Sequence, residues 1–206
     1  QPAEDLMTTM IEIERPARPA VLAPAKQRIL DTADLLFYDE GIRAVGVDRL
    51  ISASSVTKAT FYKHYGSKDR LIGDYVEHRH RQGAEQLADL ADEHVEPEAV
   101  LRALQETIST QISSPEFRGC AFINAAAEFS DAMHPVRRSV VAHREWFVGV
   151  LEGLLRGIGH PLAGDAADDL VLARDGAMTG GYAGDPIAAS TALARAFDRV
   201  IFDARA

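Results

Sequence analysis

The run VGVDRLISASSVTKATFYKHYGSKDRLI at positions 45–72 constrains the fold more than any other stretch of the chain. Val47, Leu50 and Ile51 fall on one face of a short helix over 47–54. A turn at 54–56 leads into a second short helix over 57–64, which Gly66 breaks. Ser67 then stands where a side-chain oxygen caps the next helix, a long one carrying Leu71, Ile72, Tyr75, Val76, Leu87 and Leu90. Ahead of the pair, Ile29, Leu30, Ala33, Leu36 and Phe37 recur at helical spacing over 25–40, and Gly41 occupies the usual stop position. The same periodicity predicts helices at 97–112, 119–130, from Pro135 to 158, and at roughly 165–183 and 186–203. No alternating strand pattern of useful length occurs. The expected fold class is all-α, with about nine helices.

Composition narrows the class. The 206 residues are 47% hydrophobic and 26% charged, which excludes disorder over the whole length. No apolar run reaches the roughly 18 residues of a spanning helix, so no membrane partner is expected. Cys120 is the only cysteine, which excludes an internal disulfide framework and a cysteine-based zinc site. With no secretory pattern at the start, the expected location is cytoplasmic. Met7 or Met10 is expected to stand nearer a natural translation start than Gln1. Residues 1–23, with Pro2, Pro16 and Pro19 and no sustained period, read as a loose arm.

The net charge of −9 looks wrong for a nucleic-acid binder until it is divided. Residues 24–70 carry net +2, whereas residues 71–206 carry −9. All four lysines, Lys26, Lys58, Lys63 and Lys68, lie in the first of these blocks, and 58–68 contains no acid. Two short helices joined by a tight turn, the second basic and aromatic, meet the requirements of a helix-turn-helix. The second helix of that motif enters the major groove of duplex DNA. Thr57, Lys58, Ala59 and Thr60 form its first turn; the short side chains there let the backbone come close, and Lys58 and Thr60 can bond base edges or phosphates. Tyr62, Lys63, His64 and Lys68 can bind phosphate oxygens, which fixes register without reading sequence. The competing reading makes Tyr62 and Tyr65 packing residues and the lysines a solvated face.

TKATFYKHYGSKDRLI resembles the signature of the tetracycline-repressor (TetR) family of bacterial transcriptional regulators. Ala53, Val56, Thr57, Tyr62, His64, Tyr65, Ser67, Lys68 and Leu71 fall on family positions, and RGCAFINAAAEF followed by HPVR extends the likeness. The sequence departs from the pattern at two positions. Ser55 stands where the family usually has glycine, and Gly46 where it prefers Thr or Ser. The resemblance implies a helix-turn-helix DNA-binding domain over 24–70 and a helical ligand-binding and dimerisation domain over 71–206. It implies a homodimer on a double-stranded, palindromic operator, released by an unidentified small-molecule effector. The long helix from Ser67 is the expected transmitter.

The rest of the chain speaks less specifically. Sixteen of the 34 residues from 163 to 196 are alanine or glycine, which suits closely approaching helices in a dimer or within one subunit. Phe197, Val200 and Ile201 are the expected apolar anchors there. Cys120, Asn124 and Glu128 recur at i, i+4, i+8 on the apolar 119–130 helix and are candidate effector contacts. A carboxylate among such neighbours needs a partner. An arginine such as Arg144 or Arg174 is the first reading for Glu128, a ligand the second. Phe117, Phe122, Trp146, Phe147, Met178 and Tyr182 are candidate lining residues that serve equally well as core. The histidines form no metal motif, and no phosphate loop, nucleophile elbow or dinucleotide fingerprint occurs. No catalytic residue, metal or cofactor is expected. Two other readings stay open: a regulator controlled by a protein partner or acting as activator, and a small-molecule-binding helical protein with weakened DNA binding.

Overall fold

The computed structural model describes residues 13, 15–17 and 21–205. The expected loose arm over 1–23 therefore lies largely outside the described residues. Among the described residues the chain forms nine helices and no strand. They are α1 (Pro24–Glu40), α2 (Val47–Ala53), α3 (Lys58–His64), α4 (Lys68–Glu93), α5 (Pro97–Ile112), α6 (Ala121–Glu128), α7 (Pro135–Gly157), α8 (Ala163–Ala183) and α9 (Pro186–Asp203). Proline opens α1, α5 and α9, where its fixed φ suits the first turn and its missing N–H costs nothing. The 119–130 segment is shorter as a helix than its sequence predicts, because Gly119 takes φ +86° and Cys120 becomes the N-cap.

The chain divides into two compact units. The first comprises the described residues of 16–84 and residues 118–144. Its core joins Ile29, Leu30, Ala33 and Phe37 of α1 to Leu50, Phe61, Tyr65, Leu71, Ile72 and Tyr75. Ala125, Phe129 and Val136 belong to the same core, so this unit reaches past residue 70 and takes in α6 and the start of α7. The physical reason is apolar burial: the exposed side of a three-helix motif is covered by helices distant in sequence. The second unit is built chiefly from residues 85–117 and 145–206. There α8 packs on α9, and α5 packs on both. A Cβ built on Gly181 of α8 would overlap Ile112 Cγ2 of α5 and meet Ala189 of α9, so this glycine permits close packing within the unit. Phe197, Val200 and Ile201 are buried inside the same unit and are core residues, not outward anchors. The large apolar residues left exposed on α8 and α9 are Leu172, Tyr182, Ile187 and Phe202.

The α2–α3 turn carries strain. Ser55 is the only described non-glycine residue with positive φ, at +52°. A left-handed residue with a Cβ costs about 1–2 kcal/mol, and glycine there would recover it less about 0.4–1 kcal/mol of unfolded-state entropy. Ser55→Gly is therefore expected to stabilise the protein by about 0.5 kcal/mol, read as a higher urea midpoint at unchanged slope. A lower midpoint would mean that the serine hydroxyl stabilises the turn. Gly46, by contrast, is an extended N-cap at φ −79° with open space around a built Cβ, so nothing structural demands glycine there.

Candidate nucleic-acid interface

The interface starts from what holds α3 still. Phe61 is fully buried and Tyr65 nearly so; the Tyr65 hydroxyl donates to the Lys26 carbonyl of α1 at 3.2 Å. Burial pushes the Tyr65 phenol well above the ordinary tyrosine range, so it stays a neutral donor. At the other end, Thr57 is the N-cap of α3: its hydroxyl accepts the Thr60 N–H at 3.1 Å and lies 2.8 Å from the Thr60 hydroxyl. Such a cap stabilises a short helix by about 1 kcal/mol. The sequence places Thr57 in the first turn as a DNA-contacting group. The structure gives its hydroxyl a capping role, and the Thr-x-x-Thr spacing is the signal that carries this.

With those residues facing inward, α3 presents Lys58, Ala59, Tyr62 and Lys63 outward. Tyr62 is 44% exposed and sits edge-on to Phe61 at 5.4 Å. Lys58 lies 3.9 Å from Asp48 of α2, a loose pair that is 70% and 92% exposed and adds little to stability. His64 is half-buried at the end of α3. Ser67 caps α4 by accepting the Arg70 N–H at 3.2 Å. Lys68 is half-buried, with its ammonium 5.8 Å from the centre of the Phe37 ring. Burial pulls Lys68 below the ordinary lysine range, while Glu128 and Asp69 oppose that shift.

The residues nominated for an effector divide between the units. In the first, Phe122 stacks on His143 with ring centroids 3.5 Å apart, and Cys120 is buried. Asn124 donates its amide to the Arg118 carbonyl at 2.8 Å. Glu128 accepts the Ile42 N–H at 2.8 Å and the Arg43 N–H at 2.6 Å. The expected arginine partner is thus replaced by two backbone amides, because α6 ends beside the turn leaving α1, where amides lack helical acceptors. In the second unit, Phe147 and Met178 are buried, Phe117 and Trp146 half-buried, and Tyr182 47% exposed. Arg174, one of the two arginines considered for Glu128, pairs with Asp175 at 2.9 Å and lies 5.2 Å from the Phe147 ring centre. A groove of about 410 Å³ between the end of α4 and α5 is lined by Gln86, Leu90, His94, Glu106, Thr107 and Gln111, and contains none of the nominated residues. His80 and His143 share no sequence pattern that pairs them, yet their Nδ1 atoms lie 3.0 Å apart.

A capped, basic and partly aromatic helix exposed on a buried two-helix scaffold defines the class: a helix-turn-helix DNA-binding regulator. Residues 29–75 match the model of the family described as bacterial regulatory proteins, tetR family. The structure is similar to that of a TetR-family transcriptional regulator from Streptomyces coelicolor, with a TM-score of 0.85 and 39% identity over 88% of this chain and 96% of that one. Among curated relatives, the HTH-type transcriptional regulator LmrA of Bacillus subtilis is 28% identical over 66% of this chain and 73% of its own length. The HTH-type transcriptional repressor DhaR of a Mycobacterium species is 26% identical over 73% of this chain and 78% of its own length. The chain belongs to the TetR family of bacterial transcriptional regulators, whose members are not enzymes. No helix among the described residues is long and apolar enough to cross a membrane.

Proposed function

We propose that the protein is a homodimeric, cytoplasmic repressor that binds a palindromic operator and leaves it when a small hydrophobic or amphipathic effector binds. The observation that carries this reading is the outward face of α3, held by the Thr57 cap and the buried Phe61. Lys58 and Thr60 are the proposed base-edge or phosphate contacts, Ala59 the point of close approach, and Tyr62, Lys63, His64 and Lys68 the phosphate contacts. Two copies of α3 in successive major grooves require a two-fold dimer with recognition helices about 34–36 Å apart. The proposed dimer surface is the face of α8 and α9 that exposes Leu172, Gly176, Thr179, Ile187 and Phe202. Residues 24–70 are the proposed DNA-reading segment and 71–206 the effector and dimer segment, with Phe117, Trp146, Phe147, Met178 and Tyr182 as candidate effector contacts. The long α4 is the proposed transmitter, since it contributes residues to both compact units. A repressor role accords with the Mycobacterium relative DhaR, which is named a transcriptional repressor.

The test begins with selection of genomic fragments on the purified protein, followed by fluorescence anisotropy on the recovered operator at several salt concentrations. Log affinity is expected to fall steeply and linearly with log salt. Lys63→Ala is expected to weaken binding to all sequences and to lower that slope by about one for each bound protomer. A flat salt response, or no enriched fragment, would overturn the reading in favour of a helical small-molecule binder.

A further inference from the structure

We infer that Glu128 is a positioning residue: it holds the turn between α1 and α2, so that α6 and the DNA-reading helices move as one piece. This deepens the proposed DNA-binding function and rests on it. The geometry is a two-pronged anchor. Each carboxylate oxygen of Glu128 takes one backbone amide, Oε1 that of Ile42 at 2.8 Å and Oε2 that of Arg43 at 2.6 Å. Both are charge-assisted hydrogen bonds, about twice as strong as neutral ones. Gly41 directly precedes them and turns the chain at φ +94°, a conformation that a side chain would strain; a Cβ built there would meet Glu128 Oε1 at an ordinary contact distance of 3.5 Å. The amides so held belong to the short link that delivers α2, and α2 packs on α3. Ile42 is 2% exposed, so its N–H has little water to turn to if the carboxylate is removed.

The other end of α6 is tied to the last turn of α1, just ahead of that link. The Tyr38 hydroxyl donates to the Gly119 carbonyl and accepts the Arg118 N–H, both at 2.9 Å. The segment entering α6 is therefore fastened to the last turn of α1, and the last residue of α6 to the link that follows α1. A displacement of α6 reaches the α1–α2 link directly through hydrogen bonds, without first moving α4.

The experiment compares wild type, Glu128→Gln and Glu128→Ala in full-length protein on the selected operator, well below each variant's thermal midpoint. Glutamine keeps one acceptor and alanine none. The expected result is graded: about a tenfold loss of affinity for Glu128→Gln and a larger loss for Glu128→Ala, within the range of ordinary inter-site coupling. The salt slope is expected to stay unchanged, because the phosphate contacts remain, and amide exchange at Ile42 and Arg43 is expected to speed up. A purely structural glutamate would lower the melting temperature yet leave the folded protein's operator affinity within twofold of wild type, and that result overturns the inference alone. Failure of the wild type itself to bind DNA overturns the proposed function and this inference together.

Discussion

Replacing Arg79 with methionine is expected to lower the unfolding free energy by about 3 kcal/mol at pH 7, the cost of leaving a mostly buried carboxylate without its partner. Arg79 Nε lies 2.5 Å from Asp34 Oδ1, and the two side chains are only 24% and 15% exposed. The guanidinium also donates to the Asp34 carbonyl at 3.2 Å and lies 4.7 Å from the centre of the Tyr38 ring. One arginine thus fixes α4 to α1 through a charge, a backbone acceptor and an aromatic face. Methionine replaces most of the aliphatic volume, so the loss measures the charge more than the packing.

The pH dependence separates these terms. Burial raises the Asp34 carboxyl above its ordinary 3.8, and Arg79 opposes that shift. A carboxyl with a raised folded pKa binds its proton more tightly in the folded state. Its contribution is most favourable below the unfolded value and is lost as pH rises through the folded one. Without Arg79 the carboxyl rises further. The stability deficit of Arg79→Met, read by urea denaturation, is therefore expected to be full at pH 7 and to shrink steadily as pH falls toward 4. A deficit that does not change with pH would assign the loss to packing against Tyr38.

The second large effect concerns the proposed dimer. Leu172→Glu combined with Ile187→Glu is expected to give a folded monomer whose operator affinity is lower by about 100-fold or more, the usual consequence of losing the second binding arm. The two side chains are 62% and 78% exposed in the protomer, so changing them leaves its core intact. Surface changes of that kind alter folding stability by about 0.5 kcal/mol or less. Facing a second copy, the same carboxylates would be buried opposite themselves across a two-fold axis. Light scattering coupled to gel filtration reads the mass, and anisotropy reads the affinity. An unchanged dimer mass would remove α8 and α9 from the interface.

The helix boundaries were legible because their signals are local. Ser67 caps α4 as its position implies, and Gly41 and Gly66 take the positive φ that ends α1 and closes α3. The outward face of α3 was legible for a similar reason: Phe61 and Tyr65 sit one turn apart and face inward together, leaving Lys58, Tyr62 and Lys63 outside. Ser55 was legible too, since a turn that wants glycine forces a left-handed residue whatever stands there.

Partners distant in sequence were not legible. Periodicity marks Phe197, Val200 and Ile201 as apolar, but whether that face meets its own chain or another copy depends on where α5 comes to rest. Glu128 shows the same limit: its apolar neighbours called for a partner, and an arginine is the usual choice, yet backbone amides of Ile42 and Arg43 carry no side-chain signature at all. The sequence alone determined the helices of the described residues, the cap at Ser67 with the stops at Gly41 and Gly66, and the basic reading helix, because those follow from contacts within a few residues. Tertiary packing alone decided that α6 belongs with the DNA-reading helices, because that choice balances apolar burial and unpaired amides contributed by segments about 86 residues apart.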